Sequence, residues 1–304
     1  MPKEVFGAGH AFLRDPQLMT LGELGRIAGA FVTLGVEKIR LTGGEPLLRP
    51  DLPDFVRVLK QEHGLKEVAM TTNGWLLERA APALREAGLD RLNVSVDALD
   101  AEVGGRMNGL GFKVERVLRG IDAAAALGFP IKINCVVQRG VNEREILPLA
   151  EYFRGRGHPL RFIEFMDVGN VNGWTPKLVV SGAEIRAILD AEFSLEPEAV
   201  RSGETAQLYR CRRTGARFGF IDSVTQPFCR DCNRLRLSAD GRIFTCLFSH
   251  QGYDLRRPLR DGASDEELAR HIAEIWHTRE DRYSELRSKV HLEEPKVEMS
   301  YIGG

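Results

Sequence analysis

Three thiols stand where a metal centre could be held. Cys229-Arg230-Asp231-Cys232 puts two of them at close spacing on a turn, and Cys246 follows after 13 intervening residues. Structural zinc takes four protein ligands, and His250 would complete that set. Three thiolates alone suit a [4Fe–4S] cluster whose fourth iron stays open to another ligand. The residues by themselves leave both readings standing. The chain has five cysteines, an odd number with three clustered, so metal ligation fits better than a disulfide framework. Cys135, inside an apolar strand pattern, and Cys211 read as structural.

Directly after the second thiol comes Asn233-Arg234-Leu235-Arg236-Leu237, where Arg234 and Arg236 alternate onto one face. Two guanidiniums beside a metal cluster make a fork for phosphate or carboxylate. A solvated basic edge strand would show the same alternation. Upstream, Thr42-Gly43-Gly44-Glu45-Pro46 ends the first strand pattern. Its glycines let a backbone approach a ligand closely, and Pro46 fixes the next turn.

These groups need a scaffold, and the first two-thirds of the chain supply one. Thr20-Leu21-Gly22-Glu23 is a capping box that opens a helix running to about Leu34. Strand patterns follow at Glu37–Thr42, Val68–Thr72, Arg91–Ser95, Ile131–Val137 and Leu160–Phe165. Helical patterns lie between and after them, near Leu52–His63, Leu76–Ala87, Val114–Leu127 and Glu143–Arg156. Such alternation predicts an α/β fold of parallel strands with crossover helices. Five visible strands are too few for a closed eight-stranded barrel, so an open or partial one is expected. The rhythm breaks near Val168. Beyond it come a helix at about Ser181–Phe193, turn-rich sequence with the clustered cysteines, and a charged helical stretch from Ser264 to about Val290.

The strands do not read as the continuous apolar runs of sheets covered on both sides. Arg40 and Thr42 share a face, as do Asn93, Ser95 and Asp97, and likewise Lys132 and Asn134, while Arg161 and Glu164 put a charge on each face of one strand. If the polar faces converge, the lumen holds cations, hydroxyls and amides, and it expects a polar, anionic ligand. Charges at strand ends that merely reach solvent would produce the same pattern at any one position.

Composition adds limits. A chain of 304 residues, 43% apolar, suits one large barrel or two ordinary domains. With a formal net charge of −1, nothing global steers it to nucleic acid or to an anionic membrane. No apolar run approaches the roughly 20 residues of a membrane span, and MPKEVFGAGH lacks a signal-peptide pattern. A cytoplasmic protein is expected.

Gly43-Gly44-Glu45-Pro46 after a strand resembles the SAM-binding turn of radical S-adenosylmethionine (SAM) enzymes. Cys229, Cys232 and Cys246 with Asn233–Leu237, and the terminal Gly303-Gly304, resemble the GTP 3′,8-cyclase family of molybdenum-cofactor biosynthesis, and the likeness runs along the whole chain. The resemblance implies a partial (β/α)6 TIM-like barrel over residues 1–167. It implies a C-terminal region, 168–304, with a second [4Fe–4S] site and the glycine tail. By the same likeness, Cys229, Cys232 and Cys246 ligate the second cluster. Arg40, Thr71, Lys132 and Arg234-Leu235-Arg236 contact GTP, with Arg161 as a further contact. Gly44, Ser95 and Met166 contact SAM, and Gly303-Gly304 reach into the active site. The implied reaction is radical: SAM is cleaved to a 5′-deoxyadenosyl radical that takes the ribose 3′ hydrogen, and C3′ then joins C8 of guanine. The product, (8S)-3′,8-cyclo-7,8-dihydroguanosine 5′-triphosphate, would pass to cyclic pyranopterin monophosphate synthase. A homodimer is compatible with the sequence, which does not specify one.

One departure is large. The family carries C-x3-C-x2-C for its first cluster ahead of the first barrel helix, and here no cysteine precedes Cys135. The resemblance therefore predicts a chain without that segment, through a misplaced start or a truncated gene, and inactive as it stands. Two other readings compete: another radical SAM enzyme with an auxiliary cluster, and a GTP- and iron–sulfur-binding fragment without radical chemistry.

Overall fold

The structure is a computed structural model and describes residues 17–109, 112–199, 204–287 and 296–303. Helix α1, Leu21–Thr33, begins at the capping box of Thr20 and Glu23 and buries Leu24, Ile27, Ala28 and Phe31 at helical spacing. Then come β1 (Lys38–Leu41), α2 (Leu52–Arg57), β2 (Glu67–Thr72), α3 (Leu77–Glu86), β3 (Arg91–Ser95), α4 (Ala101–Asn108), α5 (Val114–Ala126), β4 (Ile131–Val137), α6 (Ile146–Arg154) and β5 (Leu160–Glu164). Helix α2 continues into a π-helical turn, Val58–Glu62, so the helix expected to run unbroken to His63 changes its winding midway.

Past β5 the chain forms α7 (Gly182–Phe193), β6 (Leu195–Pro197), β7 (Gln207–Cys211) and β8 (Arg217–Ile221). The turn-rich region that showed no strand pattern thus supplies β8, which pairs parallel with β5. The sheet order is β1-β2-β3-β4-β5-β8-β7-β6, with six parallel strands and an antiparallel ribbon of β7 and β6 at one edge. Five strands were legible in advance because the antiparallel β6–β7 ribbon comes between helix α7 and β8 and interrupts the strand–helix alternation. The barrel sheet therefore draws on residues from both sides of position 167.

A second sheet of three short antiparallel strands follows, β9 (Arg236–Leu237), β10 (Arg242–Phe244) and β11 (Tyr253–Asp254). Then come α8 (Arg256–Arg260), α9 (Asp265–His277), α10 (Tyr283–Leu286) and α11 (Met299–Ile302). The charged stretch expected as one helix to Val290 is broken after His277, and its last three residues lie outside the described ones.

Each parallel strand has two unlike faces. Val68 and Met70, Leu92 and Val94, Ile133 and Cys135, Leu160 and Phe162, and Phe218 and Phe220 are buried in the apolar core. Burying each such side chain stabilises the fold by roughly 1.5–3 kcal/mol. The alternate residues point into the lumen. Among the described residues, no helix is long and apolar enough to cross a membrane.

Candidate functional site

The lumen opens into a cavity of about 2010 Å³. Ligand sites typically measure about 300–1,000 Å³, so this one has room for two small molecules side by side. Its wall includes Lys38, Arg40, Arg91, Lys132 and Arg161 from the barrel and Arg234 and Arg236 from the cysteine region. Arg49 and Arg242 also line the cavity, its carboxylates are Glu37, Glu45, Asp51, Glu204 and Glu298, and Glu67 reaches Lys38 and Arg91.

Neutral groups hold the cations in place. Arg161 donates from Nε to Asn134 Oδ1 at 2.9 Å and from Nη2 to Asn93 Oδ1 at 2.9 Å, and Asn93 Nδ2 donates to Thr71 Oγ1 at 3.2 Å. Strand register aligns the set, pairing Thr71 with Asn93, Asn93 with Lys132 and Asn134 with Arg161. Gly219 is paired with Arg161, and a Cβ there would lie 2.9 Å from Arg161 Cγ, so β8 must be bare at this level for the guanidinium stem to fit.

Crowding of like charges shows in the proton affinities. Enclosure in the wall, then Arg161 and Arg91, bring Lys132 down to about 8. Enclosure, then Arg40 and Arg91, bring Arg161 down to about 10, and enclosure with Arg234 does the same to Arg236. Arg40 faces cavity water yet is also held below its usual range, by enclosure and then by Arg91 and Arg234.

The glycine turn sits at the mouth. Gly43 has φ +133°, which an L side chain rarely adopts. Glu45 locks the turn to the end of β2, accepting from Leu47 N at 3.0 Å, Thr72 Oγ1 at 2.7 Å and Asn73 N at 2.8 Å. The C-terminal tail packs on this turn. Gly303 is buried, and a Cβ on it would lie 2.5 Å from Thr42 Cγ2. Tyr301 donates to Asp240 Oδ2 at 2.5 Å and anchors the tail to the loop between β9 and β10. Gly304 lies outside the described residues.

Farther back, Asp167 ties three segments together. Its carboxylate accepts from Tyr283 Oη at 2.6 Å, Arg287 Nε at 2.9 Å and Lys296 Nζ at 2.8 Å. Lys296 is held a second time through Asn170, and Val297 N donates to Ser249 O at 3.0 Å, three residues from Cys246.

Cys229, Cys232 and Cys246 are free and half-buried around a short 3-10 turn and the end of β10. Burial raises Cys246, with Arg236 and Cys229 both acting on it. At Cys232 burial is outweighed by the backbone N–H and guanidinium of Arg234, which hold it below the usual thiol range. Among the described residues, no group of three or more His, Cys, Asp and Glu side chains gathers as a site for one metal ion. A multi-iron cluster binds each thiolate at a different corner, a demand that three free, half-buried thiols can meet by their chemistry. The Gly43–Gly44 turn has no such set. No cysteine precedes Cys135 in the sequence, and Cys135 is buried in β4 beside Asn142 Nδ2 at 3.9 Å.

Comparison with known proteins agrees with this geometry. Residues 6–153 match the profile of the Radical SAM superfamily, and residues 158–285 match that of Molybdenum Cofactor Synthesis C. A GTP 3′,8-cyclase of Staphylococcus carnosus is 44% identical over 100% of this chain and 91% of its own. One from Xanthomonas axonopodis pv. citri is 50% identical over 95% of this chain and 86% of its own.

This chain belongs to the GTP 3′,8-cyclase family.

Among solved structures, Streptococcus suis SuiB bound to precursor peptide SuiA superposes with a TM-score of 0.63 at 14% identity, covering 95% of this chain and 63% of that one. That likeness is one of fold alone. Of the GTP 3′,8-cyclase positions expected from sequence, Arg40, Gly44, Lys132, Arg161, Arg234, Leu235 and Arg236 line this cavity together. Thr71 stands behind that wall, bonded to Asn93. Ser95 closes β3 and Met166 lies just past β5, its carbonyl accepting from Asn172 Nδ2 at 2.9 Å; neither lines the cavity. Sequence reasoning passed over Glu45, Arg91 and Asp167. Glu45 was legible as an acid in the glycine turn. Asp167 gave no signal, because its three partners lie more than a hundred residues away.

Proposed function

We propose that this chain supplies the substrate cavity and second iron–sulfur site of a GTP 3′,8-cyclase, converting GTP to (8S)-3′,8-cyclo-7,8-dihydroguanosine 5′-triphosphate at the entry to molybdopterin synthesis. The observation that carries this reading is the charge imbalance in the lumen. Nine lysines and arginines in the cavity wall outnumber its five carboxylates, an excess that costs stability by repulsion and that a triphosphate offsets. A carboxylate or single phosphate would offset less of it.

In this reading Arg40, Lys132, Arg161, Arg234 and Arg236 hold the phosphates, Leu235 packs on the nucleotide, and Thr71 acts through Asn93. The turn at Gly44, with Ser95 and Met166 beyond it, takes SAM, and the cavity's volume supports two ligands. Cys229, Cys232 and Cys246 would hold the second cluster, which when bound offers an open iron to the guanine base. The residues at the glycine turn do not fit a first cluster, and no thiolate of this chain is assigned to one. The tail at Gly303, set against Thr42, shields the mouth from water. The two regions, 1–167 and 168–304, have separate roles. The first supplies five of the six parallel strands, and the second supplies the sixth, the thiols and the arginine fork. The product would go to cyclic pyranopterin monophosphate synthase, in the cytoplasm, from a monomer or a homodimer.

Anaerobic reconstitution of the 304-residue chain should yield about four irons, with GTP bound more tightly than guanosine. When a C-x3-C-x2-C segment of the family is joined ahead of residue 1, SAM and GTP should give the cyclised nucleotide. Zinc in place of iron, equal affinity for GTP and guanosine, or SAM cleavage without a GTP-derived product would overturn the assignment.

A further inference from the structure

Arg91 opens β3 at the floor of the lumen, where strand register sets it beside Ala69, with Arg40 on the other side of that alanine. A methyl group is all that β2 places between the two guanidiniums. Arg91 Nη2 lies 2.9 Å from Glu67 Oε1, and Lys38 Nζ lies 3.2 Å from the same oxygen. The pairing is incomplete. Arg91 Nε is buried with no hydrogen-bond partner, and so is Glu67 Oε1, whose contacts have ion-pair distance without hydrogen-bond geometry. A buried donor left unmet is costly, and in a cavity wall it marks a place for a ligand acceptor.

Arg40, Arg91, Lys132, Arg161, Arg234 and Arg236 line one cavity, with Arg40 and Arg91 on either side of Ala69. A triphosphate that enters past the arginine fork and Arg40 meets Arg91 across Ala69. We propose that Arg91 is a contact for the terminal phosphate, kept on Glu67 in the free protein and handed to the nucleotide on binding. Glu67 then acts as a positioning residue that occupies Arg91 and Lys38 and competes with the phosphate for them. This rests on the GTP reading and adds to it a means of counting phosphates.

The rival is a brace in which Glu67 and Arg91 merely join β2 to β3, and the two accounts predict opposite signs. Equilibrium titrations with GTP, GDP, GMP and guanosine, run anaerobically on the 304-residue chain, separate them. Arg91→Gln should weaken GTP by about ten- to hundredfold, as expected for losing one charged hydrogen-bond contact, and leave GMP within about twofold. Glu67→Gln, which keeps the shape and removes the competing charge, should tighten GTP roughly a few-fold at low salt. Arg91→Lys keeps the charge without the fork and should fall between, which guards against a misfolded glutamine variant. Unchanged GTP affinity in Arg91→Gln, equal losses for GTP and GMP, or weaker GTP binding in Glu67→Gln would each overturn the proposal. If the unaltered protein binds GTP no better than guanosine, the GTP reading fails first and takes this one with it.

Discussion

Strand β5 carries two charges three residues apart, Arg161 and Glu164, on opposite faces of one sheet. Glu164, 1% exposed, is fully met. It accepts from Gly182 N at 2.9 Å, Val224 N at 2.8 Å, Thr225 N at 2.9 Å and Thr225 Oγ1 at 2.5 Å, joining β5 to the start of α7 and the end of β8. Arg161 is bonded to the amide oxygens of Asn93 and Asn134, with Arg40 and Arg91 acting against its charge and Glu204 offsetting part of it. A charge whose partners are complete is a joint of the fold. One held by neutral amides and crowded by like charge is a site. Side-chain type does not distinguish them, and partner count does.

Glu164→Ala should test the joint most severely. It strips acceptors from three backbone N–H groups, each costing about 1–3 kcal/mol when buried and unmet, so denaturant unfolding should lose at least about 3 kcal/mol. A loss below about 1 kcal/mol would mean that water or backbone replaces the carboxylate, and that the comparison is false.

Arg161→Ala should behave in the opposite way. Relief of crowding offsets the lost amide bonds, so stability should stay within about 1 kcal/mol, while GTP affinity falls by roughly one to two decades. Arg234→Ala and Arg236→Ala should weaken GTP to a similar degree, with iron content and guanosine affinity unchanged. Equal losses for guanosine and GTP would remove the phosphate role.

The gentlest probe is pH. Lys132 is lowered from 10.5 to about 8, so between those values the unfolded chain holds a proton there that the free folded protein has released. Its contribution therefore favours the unfolded state as pH falls from above 10.5 toward 8, and that penalty is constant below 8. Phosphate restores the proton, so GTP binding at about pH 8–9 should take up protons, measurable by calorimetry in buffers of different ionisation heat. Affinity should decline several-fold from about pH 7 to about pH 9. Lys132→Met should abolish both effects; if they persist, another group is responsible.

The polar lumen was legible because period-two alternation survives in β1, β3, β4 and β5, and the thiol spacing and arginine fork were legible because they are local. What escaped the sequence was made by pairing at a distance. Arg91 reads as an ordinary strand start until register sets it beside Ala69. Gly219 reads as a weak point in a strand until Arg161 needs its space. Strand β8 is separated from helix α7 by the β6–β7 ribbon, which breaks the strand–helix rhythm.

The Asp167 hub also bears on the order of assembly. Its contacts close loops of 116, 120 and 129 residues, and loop-closure entropy disfavours such contacts until shorter ones have formed. The carboxylate can gather Tyr283, Arg287 and Lys296 only after β5 is paired and the segment around Ser249 has folded. On the ribosome it waits until residue 296 has emerged. Docking of the tail is thus the closing act of folding, and a cluster inserted before it would enter through a doorway that the chain has not yet shut.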